Sequence, residues 1–383
     1  MPGGRTAHLR FKIPININDS SICSVSKQSA TAELIRKAKL IIWDEAPMAK
    51  CQAIEVVDRT LPDITNNSES FRGKVMIFGG DFRQFQLKTN MRAIADKYFS
   101  DFLLRVGNGE EPTELGDSIH IPDEMVIEFE GEEKSENELI NAIFPSLQLQ
   151  SDSTEYITER AILATKNDTV DKLNEKLICQ FPGESVTYHS FDSSTDDADT
   201  QYPEEYPNSL APKGLPPYKL VLKKNCPIML LRNLNPSQGE CKGTRLICHQ
   251  FQKNVILAEI AVGQFSGNLV PLPRIPLSPA KNEGYPFHLK REQFPIRLNF
   301  SMTINKSQGQ TIPHVGVYLP EPVFSHGQLY VALSRGISMS TTKVLVKRDY
   351  AKRRNGTYTK NVVYKEVLLQ NRLNDFAMSL DEE

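Results

Sequence analysis

Leu40-Ile41-Ile42-Trp43 runs directly into Asp44-Glu45-Ala46-Pro47-Met48, and this junction constrains the fold more than any other stretch of the chain. An apolar run without alternation reads as a strand buried on both faces, the habit of a parallel sheet covered by helices. In such sheets the working groups collect in the crevice beyond the carboxyl ends of the strands. Two adjacent carboxylates delivered there suit a cation ligand and a base for water. Taken alone, the same residues also fit an ordinary strand that ends in a solvated acidic turn.

Three further blocks decide between these readings. Phe71-Arg72-Gly73-Lys74-Val75-Met76-Ile77-Phe78-Gly79-Gly80-Asp81-Phe82-Arg83-Gln84 is a second apolar strand closing in a Gly-Gly turn and a polar cluster. Thr303-Ile304-Asn305-Lys306-Ser307-Gln308-Gly309-Gln310-Thr311 combines a glycine that permits close backbone approach with hydroxyls and amides suited to phosphate oxygens. Tyr330-Val331-Ala332-Leu333-Ser334-Arg335 ends in a guanidinium, whose fixed fork of donors matches phosphate geometry.

In this order the blocks resemble motifs II, III, V and VI of superfamily 1 DNA helicases. The match is to the petite-integration-frequency (PIF) type, relatives of RecD that also occur inside Helitron transposons. Gly4-Arg5-Thr6-Ala7-His8 resembles the end of motif Ia and Leu87-Lys88-Thr89-Asn90-Met91-Arg92 resembles motif IV. Arg160 to Asn167 and Cys226 to Leu234 resemble parts of the family's second motor half.

The resemblance implies an α/β fold: two RecA-like P-loop-type motor domains, the first incomplete, with a small SH3-like β-barrel inserted in the second. It implies ATP and Mg²⁺ as cofactors, with Asp44 as the Mg²⁺ ligand and Glu45 as the water-activating base. Gln84 would sense the γ-phosphate, Arg92 and Arg335 would reach the phosphates as arginine fingers, and Gly309 and Gln310 would line the nucleotide cleft. Thr6, His8, Asn305, Lys306, Ser307 and Gln308 would contact DNA. Two departures weaken the pattern: Leu9 stands where the family commonly has Ser, and motif VI continues as Gly336-Ile337-Ser338. The partners implied are single-stranded and forked DNA, with no obligate protein partner.

A phosphate loop reads Gly-x-x-x-x-Gly-Lys-[Ser/Thr], and the sequence contains no such run. Its one Gly-Lys pair, Gly73-Lys74, is followed by Val75. The chain therefore reads as truncated within motif Ia. A second shortening is expected after motif III, because only Phe85 and Gln86 separate Gln84 from Leu87. A crossover between parallel strands needs roughly a dozen residues.

Organisation follows from pattern and charge. The expected divisions are an incomplete first motor domain at 1–108, an acidic connector at 109–154 and the first part of the second motor domain at 155–215. The SH3-like insertion follows at 216–294, the second part of the motor domain at 295–350 and a basic-then-acidic tail at 351–383. Helices are expected over 28–39, 91–106 and 168–179, and strands over 40–43, 74–79, 160–164, 314–319 and 343–347. Short β-type runs separated by Pro and Gly fill the insertion.

The net charge of −2 conceals segregation. Acids cluster at 109–137 and 192–205, whereas a basic set runs through Lys223, Lys224, Arg232, Lys242, Arg245, Lys290, Arg291, Arg297 and Lys306. Such a track can bind phosphates on a near-neutral protein. Six scattered cysteines argue for an intracellular, reduced chain rather than a disulfide framework. Cys241, Cys248 and His249 lack a fourth ligand at a zinc-like spacing. No run approaches the roughly 18 apolar residues of a membrane span, and the nucleus, or a mitochondrion, is the expected compartment. Three functions stay open: an ATP-driven motor on single-stranded DNA, a non-catalytic strand-binding remnant of one, and a protein-interaction module using the acidic segments.

Overall fold

The computed structural model describes residues 7–14, 17–18, 21–43, 51–65, 71, 74–78, 92–114, 116–194, 205–210, 212, 214–279, 287, 289–347 and 356–364. The chain divides into two compact units, Met1–Leu87 and Lys88–Glu383.

In the first unit the apolar runs pair as read. Leu40–Trp43 lies parallel to Val75–Phe78, with Leu40 opposite Val75 and Trp43 opposite Phe78. Helix Cys51–Thr65 carries Ala53, Val56, Val57, Leu61 and Ile64 at helical spacing, and all five are buried. They share a core with Phe11, Ile35 and Trp43, on which partly buried Ile41, Met76 and Phe78 pack. Helix Ala30–Lys37 starts at Ser29, whose hydroxyl accepts from the Ala32 N–H at 3.2 Å. Only one face of the strand pair is covered. On the other, Leu40, Ile42, Val75 and Ile77 are 45–60% exposed.

The second unit is built on a parallel sheet in the order Ser301–Thr303, Arg160–Ala164, His314–Leu319, Thr342–Val346, Val126–Ile127. Both of its faces are covered, as expected of a parallel sheet. Ile162, Tyr318 and Leu345 share one core with Leu139, Ile140 and Ile143 of helix Glu132–Ile143 and with Leu173 and Leu177 of helix Asn167–Gln180. Ala161, Leu163, Val317, Val344 and Val346 share the other with Phe99, Phe102, Leu103 and Val106 of helix Lys97–Asn108, and with Leu329, Ala332 and Leu333 of helix Gln328–Leu333.

An antiparallel body adjoins this sheet. Its main sheet runs Leu269–Pro273, Val255–Ile260, Arg245–Phe251, Pro227–Leu230, Ile296–Leu298. Ser185–His189 pairs with Lys219–Lys223, and Phe191–Ser194 pairs with Leu289–Gln293. The β-rich part thus draws in strands that lie ahead of residue 216 in sequence.

Several readings of charge are corrected by packing. The 109–154 segment, expected as an acidic connector, is folded within the second unit. It holds strand Ser118–Ile121 and helix Glu132–Ile143, and Glu136 faces Lys176 while accepting from the Tyr318 hydroxyl. Helix Lys97–Asn108, expected with the first motor domain, packs in the second unit. Strand Thr357–Lys360, within the expected tail, pairs with Ser118–Ile121. Asp192 is not a solvated acid: its carboxylate and the Arg291 guanidinium are both fully buried, 2.6 Å apart at the shortest. Arg245 leaves the basic track too, since it is buried and donates to the Thr158 and Arg160 carbonyls at 2.8 and 3.2 Å. His249 meets Glu259 across the strand pair at 2.8 Å.

Candidate motor site

Strand Ser301–Thr303 hands the chain into a short 3-10 turn, Ile304–Ser307, at the carboxyl end of the parallel sheet. The Ser307 hydroxyl is buried and donates to the Ile304 carbonyl at 2.7 Å, which closes the turn. The Gln310 N–H then bonds the Ser307 carbonyl at 3.0 Å and its amide donates to the Lys306 carbonyl at 3.2 Å. Between them Gly309 sits at φ +78°, a left-handed conformation costly for other residues. Ser307 and Gln310 therefore shape the loop from inside, while Asn305 and Gly309 are exposed and Lys306 and Gln308 half-buried.

Arg335 follows helix Gln328–Leu333 and is 1% exposed. Its guanidinium donates to the Val331 carbonyl at 2.8 Å, to the Gln310 carbonyl at 3.2 Å and to the Ser334 hydroxyl at 2.9 Å. Its own carbonyl accepts from the Ile312 N–H at 2.9 Å. Arg92 arrives from 219 residues away to donate to the Thr311 hydroxyl at 2.9 Å. It also reaches the Ser334 carbonyl at 3.4 Å. The two arginines and the far end of the 304–311 loop thus form one hydrogen-bonded group where the chain returns to the amino ends of strands His314–Leu319 and Thr342–Val346. Thr311 and Ser334 are its joints, and sequence reading gave neither a role although both stand inside the blocks that it singled out.

Charge is concentrated beside the loop. Arg297 lies 3.6 Å from Asp171, next to Lys306. Burial, then the Arg297 cation and, more weakly, Lys242 push the Lys306 ammonium down to about 8, against the opposing pull of Asp171. Burial likewise raises the Asp171 carboxyl, with Arg297 and Lys306 pulling it back.

His8 is exposed on helix Ala7–Phe11 in the first unit. Thr6, Asp44, Glu45 and Gln84, the expected metal ligand Asp44 among them, lie outside the described residues, as does the expected shortening after motif III. What is described is that strands Leu40–Trp43 and Val75–Phe78 run parallel and end level with each other, just before Asp44 and Gly79.

A parallel sheet covered on both faces, with a glycine-bearing loop leaving the carboxyl end of one strand and two arginines bonded to that loop, fits a RecA-like motor fold. Comparison with known proteins agrees. A family model described as PIF1-like helicase matches residues 1–87, and one described as DNA helicase Pif1, 2B domain, matches residues 205–251. Over these residues the chain is similar to PIF1-like helicases. It is 25% identical to the ATP-dependent DNA helicase PIF1 of Xenopus laevis over 90% of this chain and 52% of that protein. The Danio rerio protein of the same name is 26% identical over the same shares. The chain thus spans about half the length of these curated relatives. Among solved structures, the Pif1 helicase from Bacteroides in complex with ADP-AlF3 and ssDNA shares the fold at a TM-score of 0.60 and 20% identity. That likeness covers 100% of this chain and 84% of the other. The Candida albicans Pif1 helicase does so at 0.57 and 18%, over 90% and 79%.

Proposed function

We propose that the chain is the motor of an ATP-dependent DNA helicase that tracks along single-stranded DNA, in the 5′ to 3′ direction, and opens forked duplex. The observation that carries this reading is the joining of Arg92, Thr311, Gln310, Ser334 and Arg335 into one group, because it ties the two arginines expected to reach the phosphates to the loop that would hold the strand. Nucleotide binding at Gly309 and Gln310 and strand binding at Asn305, Lys306 and Gln308 would then act on one short segment. The mechanical link is the Arg335–Gln310 bond. When bound, ATP with Mg²⁺ supplies the cleavable phosphoanhydride, and Arg92 and Arg335 are the described residues that would meet its charge. The antiparallel body corresponds to the family's SH3-like insertion. Repair, recombination, telomere maintenance and Helitron transposition all fit the motor, with the nucleus as its place of action.

A second reading is favoured by one specific observation. The 383 residues contain no phosphate-loop run, so by themselves they would bind single strands but hydrolyse ATP poorly. ATP hydrolysis by the purified chain, with and without single-stranded DNA, separates the two beside Glu45→Gln. Strand binding with flat hydrolysis is the expected result. Hydrolysis that rises with DNA and disappears in Glu45→Gln would overturn the impairment and leave the motor assignment standing.

A further inference from the structure

The chain passes from the antiparallel body into the parallel sheet across Asn299 and Phe300 alone. Leu298 closes strand Ile296–Leu298 opposite Ile228, and Ser301 opens strand Ser301–Thr303 opposite Ile162. Between them the Asn299 N–H still bonds the Pro227 carbonyl of the first sheet at 2.9 Å. The Phe300 carbonyl already accepts from the Ile162 N–H of the second at 3.0 Å. We infer that Asn174, on helix Asn167–Gln180, is the positioning residue of this joint: it fixes the entry to the 304–311 loop and so sets where Lys306 stands relative to Arg297. The inference rests on the single-strand reading above, in which Lys306 is a strand contact, and adds the residue that places that contact.

Asn174 is 3% exposed, and both ends of its amide are engaged. Its Oδ1 accepts from the Ser301 N–H at 2.8 Å, while its Nδ2 donates to the Ser301 carbonyl at 3.0 Å and the Leu298 carbonyl at 3.3 Å. One side chain thus grips the last residue of one sheet and the first of the other. The joint's own side chains do not do this: among the described residues the buried Asn299 Nδ2 and Ser301 Oγ have no partner. Phe300 packs against Phe144 and Phe181 with ring centroids 6.0 and 5.3 Å apart, but apolar contact is non-directional and leaves the register to the amide. The rest of the helix face is committed to the same place. Asn167, Asp171 and Asn174 follow at spacings of four and three, which stack on one side of a helix. Arg297 reaches Asn167 Oδ1 at 3.5 Å and Asp171 at 3.6 Å, so the strand ahead of the joint and the strand beyond it lie against one face. From Ser301 the chain runs to Lys306 through one short strand and a turn closed by the Ser307 hydroxyl, with no slack to absorb a shift at its root. The Lys306 ammonium registers the result, since after burial the Arg297 cation does most to depress it.

The test titrates Lys306 in the free full chain by the NMR resonance of its ε-carbon, assigned with Lys306→Gln, and then follows binding of a labelled oligothymidylate across pH. Wild type is compared with Asn174→Ala and with Asn174→Leu, which keeps the volume and removes all three bonds. Leu177→Ala, the loss of a buried apolar side chain from the same helix, controls for stability alone. Wild-type Lys306 should titrate at about 8, under the influence of Arg297, Asp171 and Lys242. In Asn174→Ala the joint is released, so the value should rise toward that of an ordinary lysine. Strand affinity near neutral pH should fall roughly tenfold, the worth of about one charge-assisted contact. The pH at which affinity begins to decline should move upward with the lysine. Asn174→Leu should act in the same direction, and it decides the matter if the alanine variant does not fold. Leu177→Ala should lower the unfolding free energy and leave the Lys306 titration where it was. An unmoved Lys306 titration and affinity in a folded Asn174 variant, or equal changes in Leu177→Ala, overturns the positioning role. A moved titration beside a wild type that binds no oligonucleotide supports the joint and overturns the underlying single-strand reading instead.

Discussion

The Arg335 guanidinium holds two main-chain carbonyls and a hydroxyl at once, which a lysine ammonium on a flexible stem cannot reproduce. Arg335→Lys is therefore expected to lower the unfolding free energy of the second unit by about 2–3 kcal/mol, because buried acceptors lose charge-assisted bonds. Urea unfolding checks this, and a change within ~0.5 kcal/mol would mark the residue as replaceable. Lys306 gives a pH prediction. Its ammonium titrates near 8 in the free chain, and a bound phosphate would raise that value. Binding then favours the protonated form: affinity for a single strand should be constant below about pH 8 and fall as pH rises through the bound-state value. In Lys306→Gln the step should vanish. The groups facing Lys306 that set this behaviour are Arg297, Asp171 and Lys242. Residue types and motif order made Lys306 and Arg335 legible from sequence. The pairing of Arg92 with Thr311 was not, since it depends on how helix Lys97–Asn108 and helix Gln328–Leu333 lie on the same sheet face.

Among elements, the central strand His314–Leu319 shows how tightly the layers fit. Gly316 faces helix Glu132–Ile143, and a Cβ there would meet Ile143 Cγ1 at 2.9 Å and Leu139 Cδ1 at 3.2 Å. Gly316→Ala is expected to destabilise by about 1–3 kcal/mol through overpacking. Ile143→Ala, which removes that Cγ1, should cost less in the Gly316→Ala background than in the parent in a thermal melt; an additive double variant would place the strain elsewhere. Strands such as Leu40–Trp43, Val255–Ile260 and His314–Leu319 could be read because continuous or alternating apolar residues mark them. Helix Glu132–Ile143 was hidden by its own acids: Glu132 and Glu133 open its first turn, where they suit the helix dipole, while Leu139, Ile140 and Ile143 form the buried stripe. Helix Cys51–Thr65 has an apolar stripe as clear as any and was passed over beside its internal Pro62.

For the whole molecule, charge counting misleads where burial decides. Asp192 and Arg291 cancel in the net charge, yet the arginine also donates to the Pro216 and Leu210 carbonyls and so ties that connection to sheet strand Leu289–Gln293. Asp192→Asn would leave the guanidinium uncompensated, and a loss of about 3–5 kcal/mol is expected in denaturant unfolding. A loss below ~1 kcal/mol would show that the carbonyls alone suffice. The paired strands of the first unit carry a different consequence. With Leu40, Ile42, Val75 and Ile77 bare on one side, residues 1–87 produced alone should bind a hydrophobic dye and grow into larger particles as concentration rises. Replacing Ile42 and Ile77 by Thr should reduce both effects. Anyone preparing this polypeptide therefore meets a colloidal problem that originates in four side chains.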